Sequence, residues 1–269
     1  LNYGIDFKGG TLIEIRVENS NINISEIRNS LLKISPGDVN VKKFGKENDF
    51  LAKIEVSNTN NTDFIKSIKN QLNKDLGSEV NFRRVENVGP KVSGELLKAG
   101  LIAITLSLAA MLFYIWIRFE WQFSLGAIVA IIHDVIITVG IFSALSYEIN
   151  LSIVAAVLTI VGYSMNDTVV IFDRIRENLK KYTKISISEI SNVSTNETLS
   201  RTIITSVTTL LALFSIYIFG GSILKGFSFA MIVGVIVGTY SSIFVATPIL
   251  NFTNVNSKTI LKEDINDNN

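Results

Sequence analysis

Asp134 and Asp167 are the residues of this sequence best placed to do chemistry. Each interrupts an apolar run that carries no other Asp, Glu, Lys or Arg. Asp134 follows His133 within residues 121–145, and Asp167 follows Asn166 within residues 149–172. Arg201 opens a later apolar run, with Thr205, Ser206, Thr208 and Thr209 one to two turns beyond it. An ionised side chain near the centre of a bilayer costs roughly 2.5–3.5 kcal/mol or more. A carboxyl whose surroundings alternate between dry protein and a nearby cation can therefore take up a proton and release it. Two readings of Asp167 stay open on residues alone. It carries protons with Arg201 as its cation, or it is structural, forming a fixed pair with Arg201 or merely hydrogen-bonding neighbouring helices through Asn166-Asp167. His133 either relays protons or simply bonds Asp134 or a backbone carbonyl. The threonines either line a hydrated path or bond back to their own helix.

Other chemistries are excluded by what the chain lacks. Its 269 residues include no cysteine and one histidine, so disulfides, thiol nucleophiles, Cys-ligated zinc and His-rich metal sites are ruled out. His133 has no GxSxG-type serine to activate, and an aspartyl pair would require Asp134 and Asp167 to face each other. No catalytic, cofactor-binding or metal-ligating residue is expected. The net charge of +1 lacks the basic excess of a nucleic-acid binder.

The elements that must position these residues follow from a split in the charge. Residues 1–97 hold 14 Lys/Arg and 13 Asp/Glu, whereas residues 98–172 hold only Lys98, Arg118, Glu120, Asp134, Glu148 and Asp167. A bilayer-spanning helix needs roughly 20 apolar residues. Five stretches predict such helices: 99–117, 121–145, 149–172, 202–219 and 226–250. None has the form of a signal peptide. Membrane helices pack through small residues, and four stripes have the spacing for it. They are Gly126/Ala130/Asp134/Thr138, Ala155/Thr159/Gly162/Asn166, Arg201/Thr205/Thr208/Ala212/Ser215 and Ala230/Gly234/Gly238/Ser242. The ionisable residues should sit on or beside close-packed faces and look into protein or internal water. Nine basic residues flank one side of the spans (Arg118, Arg174, Arg176, Lys180, Lys181, Lys184, Arg201, Lys258 and Lys262), while the other side has only Lys225 in its loops, with Lys91 and Lys98 flanking the first span. The positive-inside rule makes the first side cytoplasmic and residues 1–97 external. An external segment of that size implies a further membrane helix ahead of Leu1.

Residues 1–88 predict a βαββαβ domain of ferredoxin-like type. The strands are Thr11–Glu18, Val39–Phe44, Phe50–Val56 and Glu79–Val85. One helix is capped by Ser25 and runs to about Lys33, where Pro36-Gly37 breaks the chain; a second starts at Thr62 or Asp63 and ends at Gly77. A turn spans Gly45–Asp49. Residues 89–98 should be a joint, with Gly89, Pro90 and Gly94 as its hinge. Asp173–Asn178 (DRIREN) reads as a loop, part of a cytoplasmic connection over 173–201 whose residues 185–197 form a polar linker, helical in part. Residues 251–269 read as a disordered cytoplasmic tail.

Several motifs are more specific. GIDFKGG (Gly4–Gly10), VGPKVSGEL (Val88–Leu96), the HDV of the second span, GYSMNDTVVIFDRIREN (Gly162–Asn178) and TLSRTIITSVTTLL…FGG (Thr198–Gly221) together resemble the SecF family. These are accessory subunits of the bacterial Sec export machinery, within the resistance-nodulation-division superfamily. The resemblance covers about residues 3–250. It implies an α-helical polytopic protein of the inner membrane with six spans, five of them visible here, and no cofactor. It also implies a heterodimer with SecD beside the SecYEG channel. That complex draws a translocating preprotein outward with the proton-motive force, after the motor SecA has pushed. Asp167 matches the family's intramembrane aspartate and Arg201 its partner arginine on the proton path; Asp134 matches an HDV motif of the family. The competing reading is a proton-driven small-molecule exporter of the same superfamily, whose external domains are usually much larger.

Overall fold

A computed structural model of the chain describes residues 1–18, 22–35, 37–44, 47–55, 61–182, 184–253 and 255. Two compact units result: residues 1–101 with 148–151, and residues 102–147 with the chain from 152 onward.

In chain order the first unit contains β1 (Asn2–Tyr3), α1 (Ile5–Lys8), β2 (Gly10–Val17), α2 (Ile24–Leu32), β3 (Val39–Lys43), β4 (Asp49–Ile54), α3 (Asn61–Leu76) and β5 (Val80–Val88). Period-two alternation along β2 buries Ile13, Ile15 and Val17 and leaves Leu12, Glu14 and Arg16 half-exposed. The four-stranded antiparallel sheet has the order β3-β4-β2-β5, which with two intervening helices is the ferredoxin-like topology. Ile27 and Leu31 of α2 and Ile68 and Leu72 of α3 close the core against Ile13, Ile15, Phe50 and Ile54. On the open face Arg16 grips Asp49 with two bonds, at 2.6 and 2.7 Å. Helix α2 begins one residue earlier than Ser25, at Ile24, and its N-cap Asn23 makes no side-chain bond. Leu32, the last residue of α2, is exposed. Gly45 of the predicted turn lies outside the described residues. β1 has no counterpart in the sequence reading; it pairs in parallel with β6 (Glu148–Ile149).

The second unit is helical. It takes up α4 (Pro90–Arg118) from Ile102 onward, then α5 (Trp121–Ala144), α6 (Leu151–Lys181), α7 (Ile187–Phe219), α8 (Gly221–Ser241), a π-helical turn over Ser242–Ala246 and α9 (Thr247–Phe252). Five helices are long and apolar enough to cross a membrane. Two boundaries differ from expectation. DRIREN is no loop, because α6 runs through it to Lys181; α7 likewise takes in most of the predicted linker. At 1.5 Å per residue the 31 residues of α6 and 33 of α7 reach about 46 and 50 Å, well past a hydrocarbon core of about 30 Å. Their extra turns are held by buried side chains of the main helical core. Ile175, Leu179 and Ile190 are buried there, and Asn178 donates to Ser194 Oγ at 2.9 Å. The predicted joint also contracts. α4 begins at Pro90, where a missing N–H costs nothing, so Gly94 is interior helix and Gly89 alone lies outside regular structure. Most of the predicted tail, residues 256–269, lies outside the described residues.

Candidate functional site

Small residues decide where the polar side chains meet. Gly126, Ala130, Asp134 and Thr138 of α5 are all buried, as are Ala230, Gly234, Gly238 and Ser242 on α8 and its π turn. A Cβ on Gly234 would stand 2.2 Å from Ile160, and one on Gly238 would stand 3.0 Å from Ser164. α8 and α6 can approach only because these positions lack side chains. At Gly126 a Cβ would come within 2.7 Å of the Ala246 carbonyl, which the π turn presents.

This close approach assembles a knot around Asp134, which is 1% exposed. Ser164 Oγ of α6 donates to its Oδ2 at 2.6 Å and Ser241 Oγ of α8 donates to the same atom at 2.8 Å. His133 Nδ1 lies 3.0 Å from Oδ1, and its ring stacks on Tyr240. Three helices are thus tied to one carboxylate. Beside the knot, Ser242 Oγ and Thr168 Oγ1 are 2.9 Å apart, and Thr247 Oγ1 donates to the Ser242 carbonyl at 2.8 Å across the π turn.

Asp167 has the opposite environment. It is 4% exposed, and its buried Oδ2 has no hydrogen-bond partner. The pairs Tyr163–Thr209 and Asn178–Ser194 share one antiparallel register, which sets Asp167 level with Thr205 and one turn from Arg201. Among the described residues no ion pair within 4.0 Å joins Asp167 to Arg201. The predicted stripe Ala155, Thr159, Gly162 and Asn166 is exposed on α6 rather than packed, and Gly162 has nothing within 4 Å of a built Cβ. Arg201, Thr208, Ala212 and Ser215 of α7 are exposed too, with Thr205 half-buried. The hydroxyls of Thr205, Thr208 and Ser215 bond back to the carbonyls of Arg201, Ile204 and Leu211. That arrangement lets a polar stripe exist on an apolar helix without water. The close-packed stripes are therefore those of α5 and α8 alone; those of α6 and α7 face out of the chain.

The structure brings His133 together with Asp134 and leaves Asn166, Arg201 and Thr208 on the outside of the fold. Serines 164 and 241 escaped the sequence reading, since an intramembrane serine gives no signal apart from its neighbours. A second polar group also escaped it. Glu120, buried ahead of α5, accepts from Arg176 at 3.1 Å, and the Arg176 guanidinium lies 5.5 Å from the Phe119 ring. Glu120 Oε2 and Arg176 Nε remain without partners. This pair accounts for one of the DRIREN arginines as a packing element.

Comparison with known proteins gives the context of this geometry. The family described as protein export membrane protein SecD/SecF, C-terminal, matches residues 68–256, and the SecD/SecF GG motif matches residues 1–20. The chain belongs to the SecD/SecF family. It is 47% identical over 250 residues to the protein translocase subunit SecF of Rickettsia bellii, covering 93% of this chain and 82% of that protein. It is 44% identical over 256 residues to the SecF of Desulfurispirillum indicum, covering 93% and 81%. Among solved structures, a Thermus SecDF described as a translocon-associated membrane protein matches with a TM-score of 0.84 and 35% identity over 94% of this chain. A SecDF crystallised in a super-membrane-facing form matches at 0.67 and 34% over the whole chain. The chain spans about a third of those two SecDF chains, 35% and 36% of their length. As a SecD/SecF protein with five membrane-capable helices, it is a multi-pass inner-membrane protein and an accessory subunit of protein translocation.

Proposed function

We propose that this chain pairs with a SecD subunit and uses the proton-motive force to help draw preproteins through the SecYEG channel. The observation that carries the reading is the contrast between two buried aspartates. Asp134 is held by three donors and serves as a structural tie. Asp167 has a bare buried oxygen, next to an outward stripe bearing Asn166, Thr205, Thr208 and Arg201. An unsatisfied buried carboxyl oxygen costs about 1–3 kcal/mol, and a proton or a partner's donor relieves that cost. Uptake and release at Asp167 would then favour different packings of the α6–α7 face against SecD. The orientation follows the basic residues: α6 and α7 extend past the membrane on the cytoplasmic side, and the ferredoxin-like unit lies outside, where an emerging chain arrives.

The test is Asp167→Asn in the SecD complex, assayed as export of a reporter in vesicles with an imposed proton gradient. Gradient-driven export should vanish while ATP-driven export and co-purification with SecD persist. Wild-type gradient-driven export by the variant would remove Asp167 as carrier.

A further inference from the structure

Helix α7 carries a second line of hydroxyls on its buried face. Ser191, Ser194, Thr198, Thr202 and Ser206 recur at spacings of three and four and are all buried, apart from the exposed stripe of Arg201 and Thr208. Small side chains on such a face serve close packing, and three of these have side-chain partners. Ser194 Oγ accepts from Asn178 at 2.9 Å, Thr198 Oγ1 donates to the Ser194 carbonyl at 2.9 Å, and Ser206 Oγ lies 2.8 Å from Thr239 Oγ1. Thr202 differs from them. It is 1% exposed, and its buried Oγ1 has no hydrogen-bond partner among the described residues. Thr205, Thr208 and Thr209 each donate to the carbonyl four residues back, the usual refuge of a hydroxyl in an apolar helix. Thr202 makes no such bond. The register of Tyr163–Thr209 and Asn178–Ser194 sets Thr202 level with Val170 of α6, about one turn beyond Asp167 toward Asn178. The pair Ser206–Thr239 sets it level with the π turn, whose Ser242 meets Thr168, the residue after Asp167. Asp167 Oδ2 is a second bare buried oxygen at the same junction. The other charged groups are turned elsewhere. Residues 226–252 hold no Asp, Glu, Lys, Arg or His. Asp134 is engaged by Ser164, Ser241 and His133, and Arg201 is on the exposed face of α7.

A buried water takes roughly two to four polar partners, and two uncommitted oxygens about a turn apart supply them. We infer that Thr202 is the inner exchange partner of Asp167, joined to its Oδ2 by one internal water and passing protons between that carboxyl and the line Thr198, Ser194 and Asn178. In uptake, ionised Oδ2 takes a proton from the water, the water takes the Thr202 hydroxyl proton, and Thr202 Oγ1 takes one from the line behind it. Each handover breaks one O–H bond and forms another, so water and hydroxyl end as they began and one proton has moved. Release runs the same steps backwards. The inference rests on the proposed export reading and adds a second side from which its carboxyl is reached. Arg201 and Thr208 belong to the face turned out of the chain, and Thr202 to the interior of the helical unit. Packing alone gives the opposite expectation for this residue. A buried hydroxyl without a partner costs its desolvation, and an apolar group of the same shape relieves that cost.

The experiment uses the full chain in complex with SecD, in vesicles, with gradient-driven and ATP-driven export measured separately. Thr202→Val keeps the shape and removes the hydroxyl. It should lower gradient-driven export about a hundredfold, the low end of what a positioned proton-transferring group contributes. ATP-driven export, complex yield and the detergent unfolding midpoint should not fall. Thr202→Ser, which restores the hydroxyl, should recover most of the lost export. A second readout needs no export. In infrared difference spectra across a pH step, the carbonyl stretch of protonated Asp167, identified by its loss in Asp167→Asn, should move to higher wavenumber in Thr202→Val and stay in place in Thr202→Ser. Native gradient-driven export by Thr202→Val overturns the inference. So does an unmoved carboxyl band in that variant, or a serine variant that behaves as the valine one. Should Thr202→Val reduce complex yield, Thr202→Ala takes its place with the same expectations. Absence of any gradient-driven export in the unaltered protein refutes the export reading instead, and the carboxyl band still judges the link between Asp167 and Thr202.

Discussion

Replacing each buried aspartate by alanine should move stability in different directions. Both changes delete the same atoms, so the cavity term is shared and the difference reports hydrogen bonding. Asp134 accepts from Ser164, Ser241 and His133. The bonds from Ser164 and Ser241 cross between helices, whereas His133 is the neighbour of Asp134 on α5; interhelical bonds in membranes average about 0.6 kcal/mol, so the two sum to about 1 kcal/mol. Ser241 has a fallback, because its Oγ also lies 3.1 Å from the Gly238 carbonyl. The net loss for Asp134→Ala should therefore be about 1 kcal/mol, about a fivefold change in the unfolding constant. Asp167 Oδ2 has no donor to lose, and removing an unsatisfied buried group recovers part of its desolvation cost. Asp167→Ala should be neutral or up to about 1 kcal/mol more stable. Titration from mixed micelles into sodium dodecyl sulfate, followed through Trp116 and Trp121 fluorescence, measures both midpoints. Equal destabilisation by the two variants would refute the division into a structural and a working carboxylate.

Three other outcomes are expected. Gly234→Val should prevent stable folding, because its first side-chain carbon would stand 2.2 Å from Ile160; Gly162→Leu should leave the chain folded, since nothing lies within 4 Å there, but abolish co-purification with SecD. In intact cells Lys66→Cys should react with a membrane-impermeant maleimide and Ser188→Cys only after permeabilisation, the reverse pattern overturning the orientation. Lys33, with Gln71, holds the Asp75 carboxyl at about 2, below the ordinary 3.8. A depressed carboxyl pKa contributes stability above the unfolded value and loses it as pH falls through the folded one. Asp75→Asn should therefore destabilise the full chain at pH 6, with the deficit shrinking from about pH 4 and gone below about 2, as thermal unfolding at each pH would show.

How much of this was legible in the residues differs between the two units. In residues 10–88 the alternation of Ile13, Ile15 and Val17 and the amphipathic spacing of Ile68 and Leu72 already specify strand, helix and buried face. A soluble core sorts side chains by polarity, so period becomes burial. The five membrane-capable helices were equally plain, since spanning depends on length and apolarity along one segment. Which face of each helix turns inward was not legible. Lipid and protein interior are both apolar, so the stripe Ala155/Thr159/Gly162/Asn166 and the stripe Ala230/Gly234/Gly238/Ser242 read alike, yet one faces out and the other is packed. DRIREN looked like a loop because charge normally marks the end of a span; a seam of Ile175, Leu179 and Ile190 keeps it helical. By itself the sequence determined that Asp134 and Asp167 lie in apolar surroundings. Only the tertiary structure decided which of them is satisfied, because Asp134 owes its partners to Ser164 and Ser241, 30 and 107 residues away, on helices brought close by glycine. Asp167 Oδ2, on α6, meets no donor among the described residues.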